Sequence, residues 1–335
     1  MTDARKEEKP AHYTRLDEIV KARPGFDEAC IITRENFASL VGDYSFGEDA
    51  LCQVESIDAK GHPCRNKHRN GWLGRRKDDK EGLIGSTCGP KYFEGHQGFA
   101  ANRASVRREL DLDDLTTRLA AIGADADFLP RLESVRARLQ TVREKSNACL
   151  ESFPQDVGAR LRGMAKSRNG DLRIEIEYAE QVDDELRPGK TRTKVTWVPQ
   201  TIGVVAGLSI ADRAPIHDLQ KGLAVVRQVF GSLDARRELG GTKLRSQLRV
   251  LESLSSIEVQ LVSFETAWSA FARAENLRNL WLLSRRGENQ IACMRLAAIA
   301  AGSSTSNHCL AAALKDEEAA LRLANGKRGV RPVGG

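Results

Sequence analysis

Aromatic side chains are scarce in this sequence, 5% of 335 residues, and it has only three methionines. Such a composition does not favour a sandwich or barrel of aromatic-rich strands. Apolar runs long enough to cross a bilayer are missing as well. The longest, Ile202–Ile210 and Ile291–Ala301, fall short of the ~20 residues that a spanning helix needs. The opening MTDARKEEKP lacks the apolar core of a secretory leader. There is no Walker A loop, dinucleotide fingerprint, HExxH pair or nucleophile elbow. Gly240-Gly241-Thr242-Lys243 does not have the spacing of a phosphate loop.

Charge and cysteine are present in quantity. Lys and Arg number 52 against 46 Asp and Glu, for a formal net charge of +6. That excess permits an anionic partner without requiring one. The seven cysteines are an odd number in a long chain. They argue against a disulfide framework and for a reducing compartment, so a cytoplasmic location is expected.

The pattern along the chain predicts five regions. Residues 1–50 read as a polar start followed by helical segments: Tyr13, Leu16, Ile19 and Val20 fall at helical spacing, and Phe26–Val41 adds a second helix. Residues 51–100 change in texture, with Gly, Pro, Asn, His and Cys clustered and apolar runs short. Within them Gly71–Lys77 and Leu83–Ser86 predict two strands around the turn Asp78–Gly82. Residues 101–287 read as a long helical region. Leu132, Val135, Leu139, Val142 and Leu150 form one stripe, and Leu244, Leu248, Leu251, Leu254, Leu261, Phe264, Trp268 and Phe271 form another. The two stripes are expected to face each other as a coiled-coil-like antiparallel pair. That pair would carry a β-hairpin at 172–198, turned by Arg187–Lys190, in which Glu175 and Glu177 meet Arg192 and Lys194 across the ladder. Residues 288–325 predict C-terminal helices, and 326–335 a flexible basic tail. The expected fold class is therefore mainly α with a small α+β module.

That module is where chemistry concentrates. Cys52, Cys64, His68 and Cys88 offer three thiolates and an imidazole, the donor set of a closed tetrahedral zinc site. A segment so poor in apolar side chains needs such a staple to fold. The order of ligands around a predicted hairpin resembles a treble-clef or zinc-ribbon finger in outline, although neither close pair is a C-x-x-C knuckle. His62 and His96 are alternative ligands, and Cys30 is a weaker spare. The expected cofactor is zinc, in a structural role.

Arg65, Lys67, Arg69, Arg75, Arg76 and Lys77 surround these ligands and are interleaved with Trp72. Cations contact phosphates and an aromatic ring can stack on a base, so these seven residues are the candidate nucleic-acid contacts. Trp72 can equally fill the small core of the module. Asn66, His68 and Asn70 faintly suggest an HNH-type nuclease, but the acidic-His dipeptide and the second histidine are missing. The function expected is therefore non-enzymatic nucleic-acid binding by a zinc-stabilised protein. The alternative is a protein-interaction adaptor or oligomeric scaffold whose zinc module is purely structural. A protein partner or self-association is expected from the long apolar stripes.

Overall fold

The structure is a computed structural model and describes residues 9–183, 191–233 and 240–333. The chain forms two compact units, Met1–Ala124 with Ala235–Leu248, and Asp125–Asp234 with Arg249–Gly335. It is 56% helix and 22% strand, with two sheets. The expectation of a mainly α protein is overturned: this is a mixed α/β chain.

In the first unit, β1 (Ala11–Tyr13), β2 (Phe37–Leu51), β3 (Lys67–Arg76) and β4 (Glu81–Gly85) form a sheet in that order. β1 runs parallel to β2, and the other pairs are antiparallel. The short helices α1 (Leu16–Ala22) and α2 (Cys88–Tyr92) and the long α3 (Gln97–Ala124) complete it. The β3–β4 hairpin overlaps the expected strands Gly71–Lys77 and Leu83–Ser86, with β3 beginning earlier, at Lys67, and β4 taking in Glu81 and Gly82 of the expected turn.

β2 matches no expected strand: its first residues, Phe37–Val41, belong to the segment whose pattern predicts a helix. The pairing of β2 with β3 shifts register between Phe37 and Ser39, between Leu40 and Gly42, and between Ser45 and Ala50. Each irregularity changes which face the next side chain takes. Phe37, Leu40, Val41 and Tyr44 are all buried at spacings that imitate a helix. The buried side chains fall into two clusters. One contains Phe37, Trp72, Ile84, Phe93 and Phe99, and the other Tyr13, Val41, Tyr44, Phe46 and Leu73. A buried ion pair, Arg23 to Glu81 at 2.7 Å, ties the end of α1 to β4.

The second unit holds α4 (Phe128–Ser152), α5 (Gln155–Ser167), β5 (Asp171–Asp183), β6 (Thr191–Val204) and α6 (Arg213–Gly231). It continues with α7 (Gly241–Phe271, from Arg249 on), α8 (Ala274–Asn279), α9 (Gly287–Ala300), α10 (Asn307–Ala324) and β7 (Val330–Pro332). α4 stops where Pro154, which has no amide hydrogen, follows Phe153. Asp212 accepts the amide of Ala214 at 3.1 Å and caps α6, with Pro215 in the first turn, where proline costs no hydrogen bond.

The two apolar stripes were expected to pair antiparallel, and they do not. Arg131 bonds to Glu258 at 2.7 Å, and Arg138 bonds to Glu265 at 2.9 Å. Both partners advance together along the chain, so α4 and α7 run parallel. The antiparallel neighbour of α4 is α6: Phe128 stacks on Phe230 at 4.7 Å, Arg227 reaches Glu133 at 3.4 Å, and Arg143 reaches Gln220 at 3.2 Å.

The hairpin is present but longer than predicted, and its register differs. Glu180 stands opposite Lys194, whereas Glu175 and Glu177 stand opposite Pro199 and Trp197. Glu175 pairs instead with Arg285 and Arg331, each at 2.7 Å. The predicted turn Arg187–Lys190 lies outside the described residues. Part of the expected flexible tail is strand: β7 pairs with β5 through Ile174, Glu175 and Ile176. Arg331 lies 3.9 Å over the Trp197 ring, which helps hold it there.

Candidate metal centre

Three sulfurs meet at one end of the first sheet. Cys52 follows β2 directly and is fully buried. Its amide donates to Asn66 O at 3.0 Å and its carbonyl accepts from Arg65 N at 3.0 Å, while Cys64 N donates to Val54 O at 2.7 Å. This short ladder brings Cys64 beside Cys52. Arg65 completes the bend with φ 54°, a left-handed conformation that a non-glycine residue adopts at a cost. Cys88 opens α2 immediately after the β3–β4 hairpin.

The Sγ atoms of Cys52, Cys64 and Cys88 all lie within 4.8 Å of one another. Those of Cys64 and Cys88 are 3.7 Å apart. A tetrahedral ion with metal–sulfur bonds of ~2.3 Å places its sulfurs roughly 3.7 Å apart. The three cysteines could therefore hold a metal ion. Two donors already point at the sulfurs: Gly85 N to Cys52 at 3.5 Å and Asn66 Nδ2 to Cys88 at 3.7 Å. Burial pushes the Cys52 thiol up to about 12, which the Gly85 hydrogen bond only partly opposes. Burial also raises Cys64. Such thiols stay protonated unless a cation replaces the proton.

His68 is not one of the clustered donors. It sits on β3 with Nδ1 2.8 Å from Tyr44 Oη, and its Nε2 is buried with no hydrogen-bond partner. Burial lowers its pKa, opposed by the charge of Asp49, which favours neutral imidazole. Glycine makes this packing possible. A Cβ on Gly85 would come within 2.7 Å of His68 Cδ2, and one on Gly71 within 2.5 Å of Tyr44 Oη.

None of the spare ligands is among the clustered donors. His96 Nδ1 accepts Phe99 N at 3.1 Å at the start of α3, and His62 is exposed on a loop where its carbonyl accepts Ser56 N. Cys30 lies in the core near Arg76, its thiol raised by burial.

The proposed nucleic-acid contacts scatter into different environments. Trp72 is 4% exposed, in edge contact with Phe99, with Arg103 and Arg107 5.7 and 5.9 Å from its ring. It offers no face to a base. Arg69 pairs with Asp49 at 3.0 Å, Arg75 with the buried Glu81 at 2.9 Å, and Arg76 with Asp78 at 2.8 Å. Arg65, Lys67 and Lys77 are exposed. Sequence reasoning missed Tyr44, whose relation to His68 depends on the β2–β3 register. The alternation of β3 alone could have suggested that His68 and Trp72 share a face.

No protein-family description, curated protein or solved structure matches this chain. Among the described residues no helix is long and apolar enough to cross a membrane.

Proposed function

We propose that the chain is a non-enzymatic interaction scaffold whose first unit is stapled by a structural zinc ion. Cys52, Cys64 and Cys88 would supply three thiolates and His68 Nε2 the fourth donor. The observation that carries the zinc staple in this reading is the buried, unpartnered Nε2 of His68. Leaving such an atom without a partner costs about 1–3 kcal/mol, which a coordinated cation offsets. Its other nitrogen already meets Tyr44 Oη, an outer contact of the kind that orients metal-bound imidazole. Gly85 links the two halves of the site. Its amide meets Cys52 Sγ while the His68 ring packs against its Cα. His68 lies outside the cluster of three sulfurs, so its ring would have to move toward them to complete the set. Four protein donors leave no open position for a reacting water, which favours a structural over a catalytic ion.

Metal analysis of protein purified without chelator, joined to cobalt substitution, tests the reading. One zinc per chain is expected, together with a tetrahedral cobalt spectrum showing thiolate charge transfer that changes in His68→Ala. Metal-free protein that keeps the three thiols clustered in an ordered unit would end it.

Nucleic-acid binding is the second reading. The exposed Arg65 and Lys67, flanking Cys64 and His68 in sequence, favour it. A gel shift that weakens steeply with salt and is lost in the double variant Arg65→Glu, Lys67→Glu would support it. Binding unchanged in that variant would remove the metal centre from such a role.

A further inference from the structure

The seam between α4 and α6 holds a surface groove of about 830 Å³ in the second unit. Two small residues, Ala137 on α4 and Ala224 on α6, are exposed within it, and buried Leu132, Leu139 and Leu223 also line it. Larger side chains at the two alanines would fill the seam. Its other prominent residues are Arg136, Arg143 and Arg227. A single carboxylate among the lining residues, Glu133, lies 3.4 Å from both Arg136 and Arg227. The groove therefore keeps a surplus of positive charge. Arg143 and Gln220 also line a second cavity of about 360 Å³, which adds Arg213 and His217 to the same face. Glu151 lies 3.2 Å from Arg213 at that end. From Leu132 to Asn147 the two depressions follow α4 for about 22 Å, the length of a helix of roughly fifteen residues.

We propose that this groove receives an acidic amphipathic helix from a protein partner. An apolar floor with charged rims matches a helix that carries one apolar stripe with carboxylates along its edges. Charge complementarity selects an acidic helix over a neutral one and speeds its encounter. The lining contains no Phe, Tyr or Trp on which a base could stack, and His217 is its one aromatic ring, so single-stranded nucleic acid is the poorer fit. The inference gives the scaffold reading its partner class. It does not depend on zinc, since none of the clustered cysteines belongs to this unit.

The probe is a synthetic sixteen-residue peptide of Leu and Glu with leucines at helical spacing, labelled for fluorescence anisotropy and applied to the full chain. A scrambled peptide of the same composition and an oligothymidylate are compared with it. Binding of the amphipathic peptide is expected to exceed that of the scrambled one about tenfold. The triple variant Arg136→Glu, Arg143→Glu, Arg227→Glu should lose about tenfold in affinity. Ala137→Trp, which fills the seam and leaves the charge unchanged, should lose a comparable factor. Circular dichroism establishes that each variant keeps its fold. Equal binding of the two peptides, or binding indifferent to Ala137→Trp, overturns the proposal. So does tighter binding of the oligothymidylate that disappears in the triple variant, which would assign the groove to nucleic acid. Failure of the scaffold's zinc reading appears separately, in the metal content.

Discussion

Tyr44 Oη lies 2.8 Å from His68 Nδ1, across the β2–β3 pairing, and the opposite nitrogen of the same ring has no partner. The hydroxyl thereby fixes the orientation of an imidazole whose free edge is buried beside Gly85 and the sulfur it touches. If that edge binds an ion, Tyr44→Phe removes only the outer contact while keeping the ring in the core. Zinc affinity, measured by competition with a chromogenic chelator, should fall about tenfold or more. Unchanged affinity would detach His68 from the site.

Gly85→Ala tests the same contact sterically. The added methyl meets His68 Cδ2 at 2.7 Å, and relief requires the ring or the strand to shift. A loss of about 1–3 kcal/mol is expected in denaturant unfolding, with weaker metal retention. A fully stable variant that holds zinc normally would show that the ring has room to spare.

If the three cysteines hold a metal ion, removing it should act on one unit. With chelator, amide hydrogens of β2, β3 and β4 are expected to lose protection, because a bound ion would tie the Cys52–Val54 and Cys64–Asn66 ladder to Cys88 at the start of α2. Amides of α4 and α6 should stay protected. Uniform loss across both units would contradict a local staple. Cys64→Ser should reproduce the chelator pattern without chelator.

Asp156 gives the second unit an acid dependence. Burial by itself raises its pKa, but hydrogen bonds from Ser284, Asn289 and the Val157 amide outweigh that and leave it below the ordinary value. Ser284 Oγ donates at 2.6 Å and Asn289 Nδ2 at 2.9 Å, joining α5 to the start of α9. A depressed carboxylate contributes stability above its unfolded pKa of ~3.9 and loses it as pH falls through the folded value. Asp156→Asn should therefore lower stability by about 1 kcal/mol at neutral pH. It should also flatten the decline below pH ~4. Parallel pH profiles for the two proteins would contradict the assignment.

The parallel arrangement of α4 and α7 is open to a charge-swap test. Arg138→Glu alone should place a second carboxylate beside Glu265, and the double swap with Glu265→Arg should recover most of the loss. The coupling is expected to be small, about 0.5 kcal/mol, because both groups are partly exposed. No recovery in the double variant would argue against this neighbour relation.

Some features are set by neighbouring residues and were legible in the sequence. The apolar stripes of α4 and α7, the alternation of β5 and β6, and the turn between β3 and β4 depend on local period and turn chemistry. The convergence of Cys52, Cys64 and Cys88 could be inferred from their shared donor chemistry, although the segment proved to have apolar support of its own in Val54, Trp72 and Ile84. Other features depended on pairings that no local pattern encodes. Irregular register made β2 resemble a helix, and longer strands moved Glu175 from Arg192 and Lys194 to Arg285 and Arg331. A helix stripe reports which face is buried but not the direction of the neighbour it meets, so only tertiary packing decided that α4 runs parallel to α7 and antiparallel to α6. The same holds for the basic residues around the thiols. Composition supplied their charges, but the folded chain placed Trp72 in the core and turned Arg69, Arg75 and Arg76 toward carboxylates.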